Sequence, residues 1–235
     1  MGNLGSMRNI VNKTLIIFSL FYFIAINANA SVVLGGTRVI YEGDKKEASI
    51  TVRNDETSAF LVQSWVDNFD GSNQSKPPFT VTPPLFRIEP ESANAIRIVL
   101  TDPRLPADRE SVYWLNVKSI PPSDPNATNS LTISINNKIK LIYRPSALPS
   151  SEATDAYEKL SFEKQGSLLK AKNPTPYYVS FGKLVVDSKE FDNPGMVPPM
   201  GEASWNISGM QAGKVTWNSV NDYGSMTKSK TQPLK

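Results

Sequence analysis

The sequence contains no cysteine and no histidine. The first absence removes disulfides, thiol nucleophiles and thiolate metal sites. The second removes the imidazole base of a Ser-His-Asp triad and the ordinary zinc and haem ligands. An enzyme built on this chain is left with carboxylate, Lys, Ser/Thr or Tyr chemistry. An excess of either charge is also missing, since 25 basic residues against 22 acidic ones give a net of +3 over 235 residues. Hydrophobic residues plus glycine make up about 45% of the chain, an ordinary globular value, so wholesale disorder is not expected.

A run long enough to span a membrane is lacking as well. The longest apolar stretch, Leu15 to Ile26, has 12 residues, short of the ~20 that a spanning helix needs. It follows Arg8 and Lys13 and precedes Ala28-Asn29-Ala30, a small-x-small cleavage site. That order defines a secretory signal peptide over residues 1–30, with Met1 or Met7 as the start. An uncleaved anchor is the alternative that the short run disfavours, and stable membrane insertion is not expected. The leader carries only Arg8 and Lys13 as charges, so the mature chain from Ser31 has 23 basic and 22 acidic residues. A net of +1 does not support nucleic-acid binding by a broad basic face. Without cysteine, the 205 exported residues must hold together by core burial alone.

What is present is alternation. Val33 through Thr37-Arg38-Val39-Ile40-Tyr41, Ala48 to Val52, Ala59 to Val66, Phe79 to Val81, Ile96 to Leu100, Val112 to Val117 and Leu131 to Tyr143 read as strands. Gly, Pro, Asn and Asp punctuate them, the pattern of an antiparallel sandwich or barrel. No helix of crossover length intervenes, which argues against a parallel sheet. The Pro- and Ser-rich stretch Arg144 to Ser151 reads as a linker. Beyond it lie shorter strands at 160–162, 167–171, 177–181 and 214–220, interrupted by a loop at 196–200. These form a second, smaller β domain, and the polar chain after Tyr223 is expected to be a disordered tail.

Five stretches, in order, resemble the periplasmic pilus-assembly chaperones, a family of two-domain, PapD-like immunoglobulin proteins. They are Gly36 to Tyr41; Val81-Thr82-Pro83-Pro84; Leu105-Pro106-Ala107-Asp108-Arg109-Glu110-Ser111 through Asn116 to Ile120-Pro121; Asn137 to Pro145; and Asn221-Asp222-Tyr223-Gly224. The resemblance covers nearly the whole mature chain. It implies an all-β fold of two immunoglobulin-like sandwiches set at an angle with a cleft between them, residues 31–148 and 149–235. It also implies a periplasmic, non-enzymatic protein without cofactor or metal. Such a protein captures pilin (fimbrial) subunits by donor-strand complementation and delivers them to an outer-membrane usher. The family also allows the free chaperone to self-associate.

Residue roles follow from the same resemblance. Leu131, Ile133 and Ile135 would form the apolar ladder lent to the subunit. By pattern alone they fit equally a half-buried strand of the protein's own sandwich. Arg38 and Lys140, which alone would pass for solvated charges, correspond to the pair that holds the subunit's C-terminal carboxylate. A guanidinium and an ammonium suit that task. Lys140 has opposite alternation parity from the ladder, so the two would address different faces unless a bulge or twist intervenes. Glu110, Arg144 and Asp222 correspond to an ion-pair network at the domain junction, and Pro83 and Pro84 to a turn with a cis bond. The short connection from Pro122 to Ser130 resembles the short-loop subclass. The missing cysteine pair departs from many of its members and implies a less rigid second domain.

Two other functions are less well supported by the residues. An exported hydrolase would need paired carboxylates, for which Asp102, Asp108 and Glu110 are the candidates. A pilin would show a single domain, a cysteine pair and an N-terminal extension.

Overall fold

The computed structural model describes residues 32–72, 75–123 and 131–234. The expected leader lies outside the described residues, as does most of the short connection after Pro122. The first domain has nine strands: β1 (Val32–Leu34), β2 (Arg38–Glu42), β3 (Ala48–Asn54), β4 (Phe60–Asn68), β5 (Phe79–Thr82), β6 (Leu85–Ile88), β7 (Ser92–Leu100), β8 (Ser111–Ile120) and β9 (Ile135–Arg144). They form a four-stranded sheet, β1-β3-β7-β5, and a five-stranded sheet, β2-β9-β8-β4-β6. Every second residue points inward, as the strand period requires. Ile50 and Val52, Ile96 and Ile98, Leu115 and Val117, and Leu141 thereby meet in one core. Each such side chain contributes about 1.5–3 kcal/mol of burial.

The segment from Val33 to Tyr41, expected as one strand, is two strands in different sheets. The chain crosses between sheets at Gly35-Gly36-Thr37, where Gly35 donates to the Thr51 carbonyl at 2.8 Å. A Cβ on Gly35 would stand 3.3 Å from that of Thr51. After crossing, β2 pairs with β9 in parallel, Arg38 opposite Lys140 through Glu42 opposite Arg144. The expectation of purely antiparallel pairing fails here, because after changing sheets β2 lies at the sheet edge beside β9, a strand distant in sequence that runs the same way, so no crossover helix is needed. Where β2 ends, Gly43 donates to the Arg144 carbonyl at 2.7 Å.

The Pro/Ser-rich connection is ordered. Arg144, placed in the linker by composition, ends β9 and is 1% exposed. A short helix α1 (Ser150–Asp155) and a 3-10 turn (Ala156–Lys159) follow. The second domain comprises β10 (Ser161–Gln165), β11 (Leu168–Lys172), β12 (Val179–Val186), β13 (Lys189–Glu190), β14 (Met196–Val197), β15 (Glu202–Asn206), β16 (Lys214–Ser219) and β17 (Lys230–Pro233). Its sheets are β10-β11-β15 and β13-β12-β16-β17, with β14 also on β12. Its core is aromatic: Phe162 lies 4.6 Å from Trp217, whose indole donates to the Tyr157 carbonyl at 3.0 Å. Both domains are thus sandwiches, and residues 31–235 form one compact unit.

The expected loop at 196–200 contains β14, and the tail after Tyr223, expected to be disordered, contains the edge strand β17. Its apolar content is low, so alternation could not reveal it; its order comes from pairing with β16. Gln232 adds a second tie, donating to the Phe162 carbonyl at 2.7 Å and accepting from the Phe162 N–H at 3.3 Å. One side-chain amide thereby stands in for a neighbouring strand at the edge of β10. Gln232→Ala is expected to lower stability by about 1–2 kcal/mol in urea denaturation; an unchanged midpoint would show the amide to be replaceable by water.

Candidate functional site

Arg38 and Lys140 are direct register partners in the parallel β2–β9 pair, so their side chains leave the sheet on one face. Both reach the second domain. Arg38 donates through one Nη to the Val220 carbonyl at 2.9 Å, and the Lys140 ammonium donates to Ser180 Oγ at 3.1 Å. Among the described residues neither cation is ion-paired with a carboxylate, and Arg38 Nε is buried without a hydrogen-bond acceptor. Burial, and secondarily the charge of Arg38, pushes the Lys140 ammonium down to about 8. The two partly buried cations thus stand side by side, and the closest carboxylate influence is that of Asp222, whose charge favours the Arg38 guanidinium while its own hydrogen bonds go to Arg144.

The geometry settles the parity question. The β8–β9 register runs unbroken from Ser111 opposite Tyr143 to Ser119 opposite Ile135. Leu141 is fully buried and Ile139 and Tyr143 pack on the first-domain core, whereas Lys140 and Arg144 reach the second domain. No bulge intervenes, so Ile135 shares the Ile139–Leu141 face and stands opposite to Lys140. The strand begins at Ile135, not at the expected Leu131, since residues 131–134 find no pairing partner among the described residues. Leu131, Ile133 and Ile135 are 87%, 66% and 49% exposed. Leu131 and Ile133 therefore lie outside any strand and are exposed, while Ile135 opens β9 opposite Ser119 with half its surface in solvent. Because β2 covers β9 only from Lys140 to Arg144, Ile135 to Ile139 present a backbone edge that is unpaired among the described residues.

Arg144 lies two residues beyond Ile142, on the same face as Lys140. Its Nε donates to Glu110 Oε1 at 2.8 Å, and its two Nη atoms donate to Asp222 at 2.7 and 3.0 Å. Glu110, 3% exposed, also accepts from the Tyr178 N–H at 2.7 Å. The guanidinium therefore ties β9 and the residue before β8 to the loop after β16, and Glu110 extends the tie to the residue before β12. Ser150 links the cluster to Glu42, accepting from Arg144 and donating to Glu42 Oε1. The Thr82–Pro83 bond is cis, and the Pro83 and Pro84 carbonyls accept from Ser64 Oγ and N.

The three carboxylates considered for hydrolysis are not brought together as a pair. Asp102 is held by Arg104, Asp108 by Arg109 and Glu110 by Arg144. Sequence reasoning missed Ser150, Ser180 and the Val220 carbonyl. A serine in a strand and a backbone oxygen carry no pattern of their own, and only the packing of the two domains gives them partners.

The class that this architecture defines is a two-domain β-sandwich protein with a cationic cleft lined by both domains. Residues 31–149 match the family "Pili and flagellar-assembly chaperone, PapD N-terminal domain", and residues 155–231 match "Pili assembly chaperone PapD, C-terminal domain". The chain belongs to this pilus-assembly chaperone family. It is 45% identical over 199 residues to the probable fimbrial chaperone LpfB of Escherichia coli O157:H7, covering 83% of this chain and 84% of that one. It is 42% identical over 214 residues to the chaperone protein FimC of Escherichia coli K12, covering 88% and 86%. A chain in the complex of Salmonella enterica SafA pilin with the SafB chaperone superposes with a TM-score of 0.78 at 36% identity, covering 88% and 98%. The family is one of chaperones, in general without enzymatic activity. No helix among the described residues is long and apolar enough to cross a membrane.

Proposed function

We propose that this protein is a periplasmic chaperone, exported by residues 1–30, with domains at 31–148 and 149–235. It captures pilin subunits by donor-strand complementation and passes them to an outer-membrane usher. The observation that carries this reading is the edge from Ile135 to Ile139, unpaired among the described residues and continuous with two cations that form no ion pair among them. An extended client strand hydrogen-bonds along that edge. Its C-terminal carboxylate accepts from Arg38 and Lys140, which sets the register of every residue upstream. Leu131, Ile133 and Ile135 then leave water for the client's groove, each worth about 1.5–3 kcal/mol before ordering costs. An incomplete immunoglobulin-like subunit supplies both requirements, an unfilled apolar groove and a chain end. Glu110, Arg144 and Asp222 hold the domains at the separation the cleft needs and contact no ligand.

The faces of the donor segment provide the test. Ile133→Asp is expected to weaken co-purification with a pilin at least tenfold, about 1.4 kcal/mol or more, because a carboxylate would enter an apolar groove. Thr132→Asp, on the opposite face, should have a much smaller effect. Equal losses from the two substitutions would reject the assignment of the ladder.

A further inference from the structure

The two cations of the anchor belong to the first domain, yet both are held by one rung of the second. Ser180 and Val220 are joined by the bond from the Val220 N–H to the Ser180 carbonyl at 2.9 Å. From that rung, Val220 offers its carbonyl to Arg38 and Ser180 its hydroxyl to Lys140. Ser180 is 3% exposed and sits in β12, whose Phe181 N–H is fixed in turn by the Gly195 carbonyl at 3.0 Å. The hydroxyl is therefore a rigid acceptor, whereas the lysine is a flexible stem carrying a point charge. Arg38 repels that charge and burial disfavours it. Without an acceptor on the far wall, the ammonium is free to turn toward water and away from Arg38.

We propose that Ser180 is the positioning residue of the carboxylate anchor, holding the Lys140 ammonium beside Arg38 so that both cations meet one terminal carboxylate. The inference rests on the carboxylate-anchor reading of Arg38 and Lys140. It makes the anchor a property of the docked domain pair, since the side chain that binds and the group that aims it come from different sandwiches. Valine at position 180 would fill a similar volume without an acceptor, and threonine would restore one.

The test uses a fluorescent synthetic peptide of alternating apolar and polar residues, made once with a free C-terminal carboxylate and once as the C-terminal amide. Binding to the full mature chain is measured by anisotropy. Wild type should prefer the free acid. Ser180→Ala and Ser180→Val should weaken the free acid about tenfold, the loss of one charge-assisted hydrogen bond, and leave the amide unchanged. Ser180→Thr should keep the wild-type preference. A Ser180→Ala protein that loses both peptides equally, or neither, would overturn the positioning role while the anchor stands. A wild type indifferent to amidation would overturn the anchor reading and this inference with it.

Discussion

Arg38→Ala and Lys140→Ala are each expected to abolish recovery of a pilin client, with circular dichroism and thermal midpoint near those of wild type. Each deletion removes a charge-assisted hydrogen bond of about 1.5–3 kcal/mol, a factor of ten to more than a hundred in affinity. It also loosens the register that aligns the ladder. The fold should survive, because neither side chain belongs to a hydrophobic core or to the Arg144 cluster. Retained capture by both variants would remove the anchor from the mechanism.

Acidity supplies an independent check on the same pair. Lys140 titrates near 8 in the free protein, and a bound carboxylate raises that value by favouring the ammonium. Client affinity should accordingly be level below pH 7 and fall as pH rises past 8, by up to about tenfold per unit. Folding stability should move the other way. Between pH 8 and the ordinary lysine value the unfolded chain binds more protons than the folded one, so this group's contribution to stability rises with pH. Opposed slopes for binding and unfolding would be hard to produce by any general effect of alkali. An affinity flat from pH 7 to 9.5 would refute the assignment of Lys140.

The largest loss of stability is expected from Arg144→Met. The side chain is of similar length, but Glu110 would be left 3% exposed with its guanidinium gone. Stranding one member of a buried ion pair costs about 3–5 kcal/mol. The companion Glu110→Gln should recover part of that loss, because the remaining amide is neutral and can still accept from the Tyr178 N–H. The measurement is urea denaturation of the single and double variants. If Arg144→Met unfolds at the wild-type midpoint, or the double variant is worse than the single by the full cost of a second lesion, the cluster is not the tie between domains that its geometry suggests. Client binding should weaken alongside stability, since Asp222 anchors the loop that carries Val220 toward Arg38.

The alternation of β-branched residues was sufficient to locate most strands of the first domain, because a half-buried strand must place one apolar residue in every two. The motif order was sufficient to single out Arg38, Lys140, Glu110, Arg144 and Asp222. Strand β17 left no such trace: Lys230, Thr231 and Gln232 bury little, and their order comes from a partner distant in sequence. The sheet change at Gly35-Gly36 was equally silent, since two short strands read as one when only the side-chain pattern is available.

The amino-acid order alone determined the export leader as an expectation, the all-β class and the absence of thiol and imidazole chemistry; its resemblance to a known family implied which cations and apolar residues form the candidate site. Tertiary structure decided that Leu131, Ile133 and Ile135 are exposed and that Arg38 and Lys140 stand side by side, unpaired with any carboxylate among the described residues. It also decided that a buried serine of the other domain holds the lysine. Periodicity records whether a side chain can face a core; it carries no information about which distant strand supplies the neighbour, and the chemistry of this cleft lies in those neighbours.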